Sequence, residues 1–136
     1  MNLRVQTPPS SARTAAAVRA YAAFRDQRQP HYYRYALLRL GDPDAARRCV
    51  QETLDELALL WSEVLVSAHP AAVAWQLLGQ RVNDARSRAG CPPEPQRDTE
   101  LLSQEMSLSR AEISTVTGLD EAAVASHLLQ AARRHQ

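Results

Sequence analysis

At 136 residues and a formal net charge of +1, the chain is one domain or two very small ones, without the global basic excess of many nucleic-acid binders. Ala and Leu supply most of its apolar content and every basic side chain is Arg, a composition that favours helices over sheet. Two cysteines without CxxC spacing, scattered His and no apolar run of about 18 residues point away from a metal site, a disulfide framework and a membrane span.

Residues 1–11, with Pro8-Pro9-Ser10-Ser11, read as a flexible tail. An Ala-rich helix is expected from Ala12 to about Arg28, a break at Gln29-Pro30, and a second helix from about His31 to Leu40. Tyr32, Tyr33 and Tyr35 beside His31 and Arg34 allow two readings, a base-stacking platform or core packing; their helical spacing favours packing. Gly41 then sits where a glycine ends a helix.

The best-defined helix follows. Asp42 is a good N-cap and Pro43 suits the first helical position. Ala46, Val50, Thr53, Leu54, Leu57, Leu60, Trp61 and Val64 recur at three- and four-residue spacing, an amphipathic stripe that ends near Ser67. Arg47, Arg48, Gln51, Glu52, Asp55 and Glu56 make the opposite, polar face. His69-Pro70 restarts the chain, and residues 71–89 give a helix with Val73, Ala74, Leu77, Leu78, Val82 and Ala85 inward. Trp75 lies off that stripe, as a boundary packing residue or an exposed contact.

Gly90-Cys91-Pro92-Pro93-Glu94-Pro95-Gln96-Arg97 is a linker, because three prolines forbid regular helix. A short helix is expected over about Asp98 to Met106. Ser109-Arg110-Ala111-Glu112 is a capping box, Gly118-Leu119-Asp120 a turn, and Asp120 the cap of a final helix carrying Val124 and Leu128. Two short helices about a turn glycine make a helix-turn-helix. The chain is therefore expected to be all-α, with a helical domain over 12–89, a linker over 90–97 and a helix-turn-helix unit over 98–136. The sequence leaves open whether the two helical units are independent or packed together. With no phosphate loop and no assembled acid–base or nucleophile set, neither an enzyme nor a cofactor is expected.

Taken in order, Tyr35-Ala36, Gly41-Asp42-Pro43-Asp44-Ala45-Ala46, Val50-Gln51-Glu52-Thr53-Leu54, Trp61, Ala74-Trp75, Asp84 and Leu108-Ser109-x-Ala111-Glu112-Ile113-x-x-Val116-x-Gly118-Leu119 resemble one family. It is that of the small bacterial RNA polymerase sigma factors of the extracytoplasmic-function type, and the resemblance spans roughly residues 24–134. It implies a sigma-like first domain and a short −35-type last domain; the cysteine usage and the lack of a long apolar run separately lead to the expectation of a cytoplasmic protein with no membrane partner. The resemblance further implies that Gln51, Glu52 and Asp55, with Arg47 and Arg48 one turn earlier, dock on the clamp of the polymerase largest subunit. Trp75, Arg81, Arg86 and Arg88 belong on the side of the −10 promoter element. Arg110, Glu121, Ala122, Ser126, Gln130, Arg133 and Arg134 belong on the −35 side, with the final helix in the major groove. An anti-sigma factor is a further implied partner.

Three departures accompany the resemblance. Arg47 and Arg48 stand where the family usually has acids, and charge reversal at a docking surface repels as well as failing to attract. Ala125, His127 and Gln130 replace usual cations of the recognition helix, which weakens phosphate neutralisation. Only 17 residues separate Gly90 from Leu108. Fully extended they reach at most roughly 60 Å, and keeping Asp98–Met106 helical cuts that to roughly 40 Å, against roughly 58 Å of duplex between elements about 17 base pairs apart. The first two of these departures motivate an alternative, a sigma-like interaction protein that keeps the fold without productive promoter binding.

Overall fold

In the computed structural model the described residues are 10–91 and 98–134, with side chains from 15 to 133. Most of the expected tail and linker, and the side chain of Arg134, lie outside them. Helix α1 runs unbroken from Ser10 to Leu40 with Pro30 inside it, so the expected break is wrong. A proline inside a helix costs about 3 kcal/mol relative to alanine. Asp26, Gln29 and Pro30 are all exposed, so the carbonyl that loses its N–H donor is open to water. Beyond the proline, Tyr32, Tyr35 and Ala36 are fully buried. Burying a large apolar side chain is worth about 1.5–3 kcal/mol, so two rings offset the proline and hold the helix together through it.

Gly41, at φ +72°, turns the chain, and its N–H donates to the Leu37 carbonyl at 2.8 Å. Helix α2, Pro43–Leu65, starts as expected: the Asp42 carboxylate accepts from the Asp44 N–H and Pro43 occupies the first turn. Its buried residues are Ala46, Cys49, Val50, Thr53, Leu54, Leu57, Trp61 and Val64, so the predicted stripe is seen with Cys49 added and Leu60 only half buried. Tyr21 and Phe24 lie 5.5 and 5.3 Å from the Trp61 ring, and the Tyr21 hydroxyl donates to the Leu54 carbonyl at 2.6 Å, so α2 runs antiparallel to α1.

Helix α3, Pro70–Arg88, returns along α2 and buries Ala74, Trp75, Leu78, Gly79 and Val82. Trp75 is a core residue, not an exposed contact, because Tyr35 and Tyr32 pack on its ring at 4.6 and 5.9 Å. This also decides the tyrosine question for two of the three rings: Tyr32 and Tyr35 are wholly inside.

Three further helices complete the chain: α4 (Asp98–Gln104), α5 (Arg110–Thr117) and α6 (Glu121–Arg134). Among the described residues there is no strand, and the fold is all-α. Leu102, Met106, Ile113, Val116 and Val124 join the buried cluster built by α1–α3. The helix-turn-helix therefore shares one core with the first three helices.

Gly118 sits at that seam with φ +79°, and a Cβ there would lie 2.3 Å from the Ala72 backbone nitrogen. Gly90 has a similar φ of +77° but open space around it. Gly90→Ala is expected to cost only the strain of the left-handed conformation, about 1–2 kcal/mol in urea unfolding. Gly118→Ala should cost clearly more, because the Ala72 backbone must also give way. Equal losses at the two positions would mean that the α3–α5 approach contributes nothing.

Candidate functional site

The polar face of α2 is a strip of paired charges. Arg47 is ion-paired with Asp44 in the first turn. One turn on, Gln51 Nε2 donates to Asp55 Oδ1 at 2.8 Å. Glu52 and Glu56 both accept from Arg81 of α3, at 3.0 and 2.7 Å. Arg47, Arg48, Gln51, Glu52 and Asp55 are all exposed, so the five residues assigned to polymerase docking form one accessible surface of mixed sign. Arg47, Arg48 and Gln51 also border an open groove of about 980 Å³ against Asp26, Gln29, Pro30 and Tyr33 of α1. Asp26 is itself engaged by Arg25, at 3.3 Å.

The side assigned to the −10 element is different. Trp75 is covered, Arg81 is held by the two glutamates, and Arg86 Nη1 donates to the Arg39 carbonyl at 2.8 Å. That last bond caps one of the carbonyls that the end of α1 leaves without an intrahelical donor. Of the four α3 residues in this set, only Arg88 is both exposed and without a hydrogen bond or ion pair to another described residue.

The helix-turn-helix is built as its sequence dictates. The Ser109 Oγ accepts from the Glu112 N–H at 3.1 Å, and the Ser109 N–H donates to Glu112 Oε1 at 3.0 Å. The Ser109 N–H, and then the Ser109 side chain, hold the Glu112 carboxyl below its ordinary pKa by hydrogen bonding. Gly118 turns the chain, and Asp120 Oδ1 accepts from the Ala123 N–H at 2.7 Å to start α6. Val124 and Ala131 point inward. Glu121, Ala122, Ser126, Gln130 and Arg133 are exposed on α6, and Arg110 is exposed at the start of α5. His127, at a position where a cation is usual in the resembled family, has its Nδ1 3.2 Å from the Thr99 hydroxyl of α4.

Between α3, α4 and α6 lies a cleft of about 520 Å³, bordered by Trp75, Gln76, Asn83, Thr99, His127 and Gln130 among others. At one end of it is a group of residues that no motif announced. Arg39, only 8% exposed, donates to the Tyr35 hydroxyl at 2.6 Å and to Asn83 Oδ1 at 2.9 Å. The Tyr35 hydroxyl donates to Asp98 Oδ1 at 2.5 Å, and Arg39 stands 3.7 Å from the same carboxylate. Burial, and then the Asp98 charge, push the Tyr35 hydroxyl far above its ordinary pKa, so it stays a donor. One signal in the sequence could have found this group. Arg39 continues the series Tyr32, Tyr35, Ala36 at helical spacing, and an arginine on an apolar stripe needs a buried acid.

No protein-family model, curated protein or solved structure matches the chain. Among the described residues no helix is long and apolar enough to cross a membrane.

Two tyrosines one turn apart test the buried network. The Tyr32 hydroxyl is buried without a partner among the described residues, whereas that of Tyr35 joins Arg39 to Asp98. Tyr35→Phe is expected to lower unfolding free energy by about 1–3 kcal/mol, since it strips a partner from two buried charged groups. Tyr32→Phe should leave stability unchanged or raise it by up to about 1 kcal/mol, because it removes an unpaired buried polar atom. Equal losses in urea titrations would contradict the assignment.

Proposed function

We propose that the chain is an atypical sigma factor of the extracytoplasmic-function type. It binds core RNA polymerase through the exposed face of α2 and directs transcription initiation through promoter DNA, in the cytoplasm, without a cofactor or catalytic residues of its own. The observation that carries this reading is the combination, in one chain and in this order, of an exposed Gln51-Glu52 face on α2 and a capped helix-turn-helix ending in α6. In this reading Gln51, Glu52 and Asp55 contact the clamp of the largest subunit, and Ala122, Ser126, Gln130 and Arg133 contact duplex DNA. An anti-sigma factor is a further partner class.

A second reading is favoured by the state of the cations. Arg81 and Arg86 are used inside the protein, and Arg133 is the one arginine side chain described on α6. Each phosphate contact that is lost reduces binding and flattens its salt dependence by about 0.9 in log–log slope. In that reading the protein docks on polymerase, an anti-sigma factor or another regulator without productive promoter binding.

Size-exclusion chromatography with core polymerase, followed by a promoter-library transcription assay, separates the two. The first reading predicts co-elution, transcripts, and at least a tenfold loss of binding (about 1.4 kcal/mol) in the double variant Gln51→Ala, Glu52→Arg. Co-elution without transcripts from any promoter selects the second reading. Folded protein that does neither overturns the first reading and leaves the second only a partner other than polymerase.

A further inference from the structure

The groove of about 980 Å³ between α1 and α2 combines an apolar lining with polar groups that the fold does not use. Pro30 and Tyr33 border it from α1, and the buried Val50 from α2. Pro30 also frees an acceptor: it has no N–H, so the Asp26 carbonyl four residues earlier loses its helical donor. The Tyr33 hydroxyl and the Arg48 guanidinium make no hydrogen bond or ion pair to another described residue. A carbonyl acceptor, a hydroxyl and a cation therefore surround one apolar patch.

The charges on its border set what can occupy it. Asp26 is engaged by Arg25 at 3.3 Å and Arg47 is ion-paired with Asp44, which leaves Arg48 as the uncompensated charge. An unpaired cation beside apolar surface favours a carboxylate with an apolar neighbour. A continuous polyanion such as a nucleic-acid strand fits less well. Asp26 borders the groove, and Asp44 and Asp55 are bonded to its Arg47 and Gln51, so the phosphates on either side of Arg48 would meet carboxylates. From Asp26 to Tyr33 α1 advances about 10 Å, room for about three residues of extended peptide.

We propose that the α1–α2 groove receives a short acidic segment of a partner protein, with a carboxylate on Arg48 and an adjacent apolar side chain over Pro30 and Val50. The proposal rests on the reading of α2 as a protein-docking face. It adds the chemistry of what docks there: an acidic residue beside an apolar one, seated against α1 as well as α2.

A random peptide library displayed on phage is selected against the full-length chain and, separately, against Arg48→Glu. Arg48 is exposed, so the variant keeps its fold, which far-UV dichroism checks. The expected result is enrichment of peptides with Asp or Glu next to an apolar residue on the unaltered chain, and of basic peptides on the variant. A labelled peptide from the first set should bind Arg48→Glu at least about tenfold more weakly, the lower limit for a close charge pair across an interface. Arg19→Glu makes the same reversal at an exposed position of α1, about 10 Å before Asp26. It should leave that affinity within about twofold, because salt screens charges at such a distance. No acidic enrichment, undiminished binding to Arg48→Glu, or an equal loss in Arg19→Glu overturns the proposal. So does displacement of the peptide by a single-stranded oligonucleotide, or a dimer of the chain that Arg48→Glu abolishes, since each gives the groove to another occupant. Absence of polymerase co-elution while the peptide still binds counts against the sigma-factor reading alone.

Discussion

The buried guanidinium of Arg39 imposes the condition on which the rest of the arrangement depends. An arginine this far inside a small helical protein must have its charge and its donors satisfied, since removing one partner of a buried pair typically costs about 3–5 kcal/mol. Its partners come from three helices that are far apart in the chain: Tyr35 from its own, Asn83 from α3 and Asp98 from α4. Satisfying one side chain therefore fixes where the second half of the protein sits. The hydrophobic cluster then closes over that placement, with Leu102, Met106, Ile113, Val116 and Val124 continuing the core of α1–α3.

This arrangement divides the surface into two kinds. The polar face of α2 lies outside the seam, exposed at Arg47, Arg48, Gln51, Glu52 and Asp55, with Glu52 tied to Arg81. The inner side of α3 and part of α6 form the seam, so Trp75, His127 and Gln130 border the same cleft. Arg81 and Arg86, which a linear reading offers to an external phosphate, complete the packing of α3 on α2 and the capping of α1. Cys49 belongs to the same interior; burial pushes its thiol up to about 11, so it behaves as a small apolar residue.

Local chemistry was legible in the sequence wherever neighbours in the chain carry it. Asp42-Pro43 begins α2, Ser109 and Glu112 form their box, Gly118 turns left-handed and Asp120 caps α6, all by contacts within about one helical turn. The α2 stripe was legible for the same reason. What failed depends on distant partners. Pro30 reads as a break, and only the burial of Tyr32 and Tyr35 beyond it explains why α1 continues. Trp75 reads as peripheral on its own helix and is central once α1 lies against it. The polar face of α2 was visible as a face, but its tie to Arg81 was not, because glutamates at 52 and 56 meet an arginine 29 and 25 residues later only through the tertiary fold.

The central claim is that the helix-turn-helix and the first three helices are one body joined at the Arg39 group. Backbone nitrogen relaxation measured on the full chain tests it most directly, by comparing the rotational correlation times of amides in α2 with those in α6. One common value, that of a single body of the full chain's mass, is the predicted result. A distinctly shorter time for α6 would show a unit tumbling on its linker, and would contradict the shared core and its tie to the Arg39 group together.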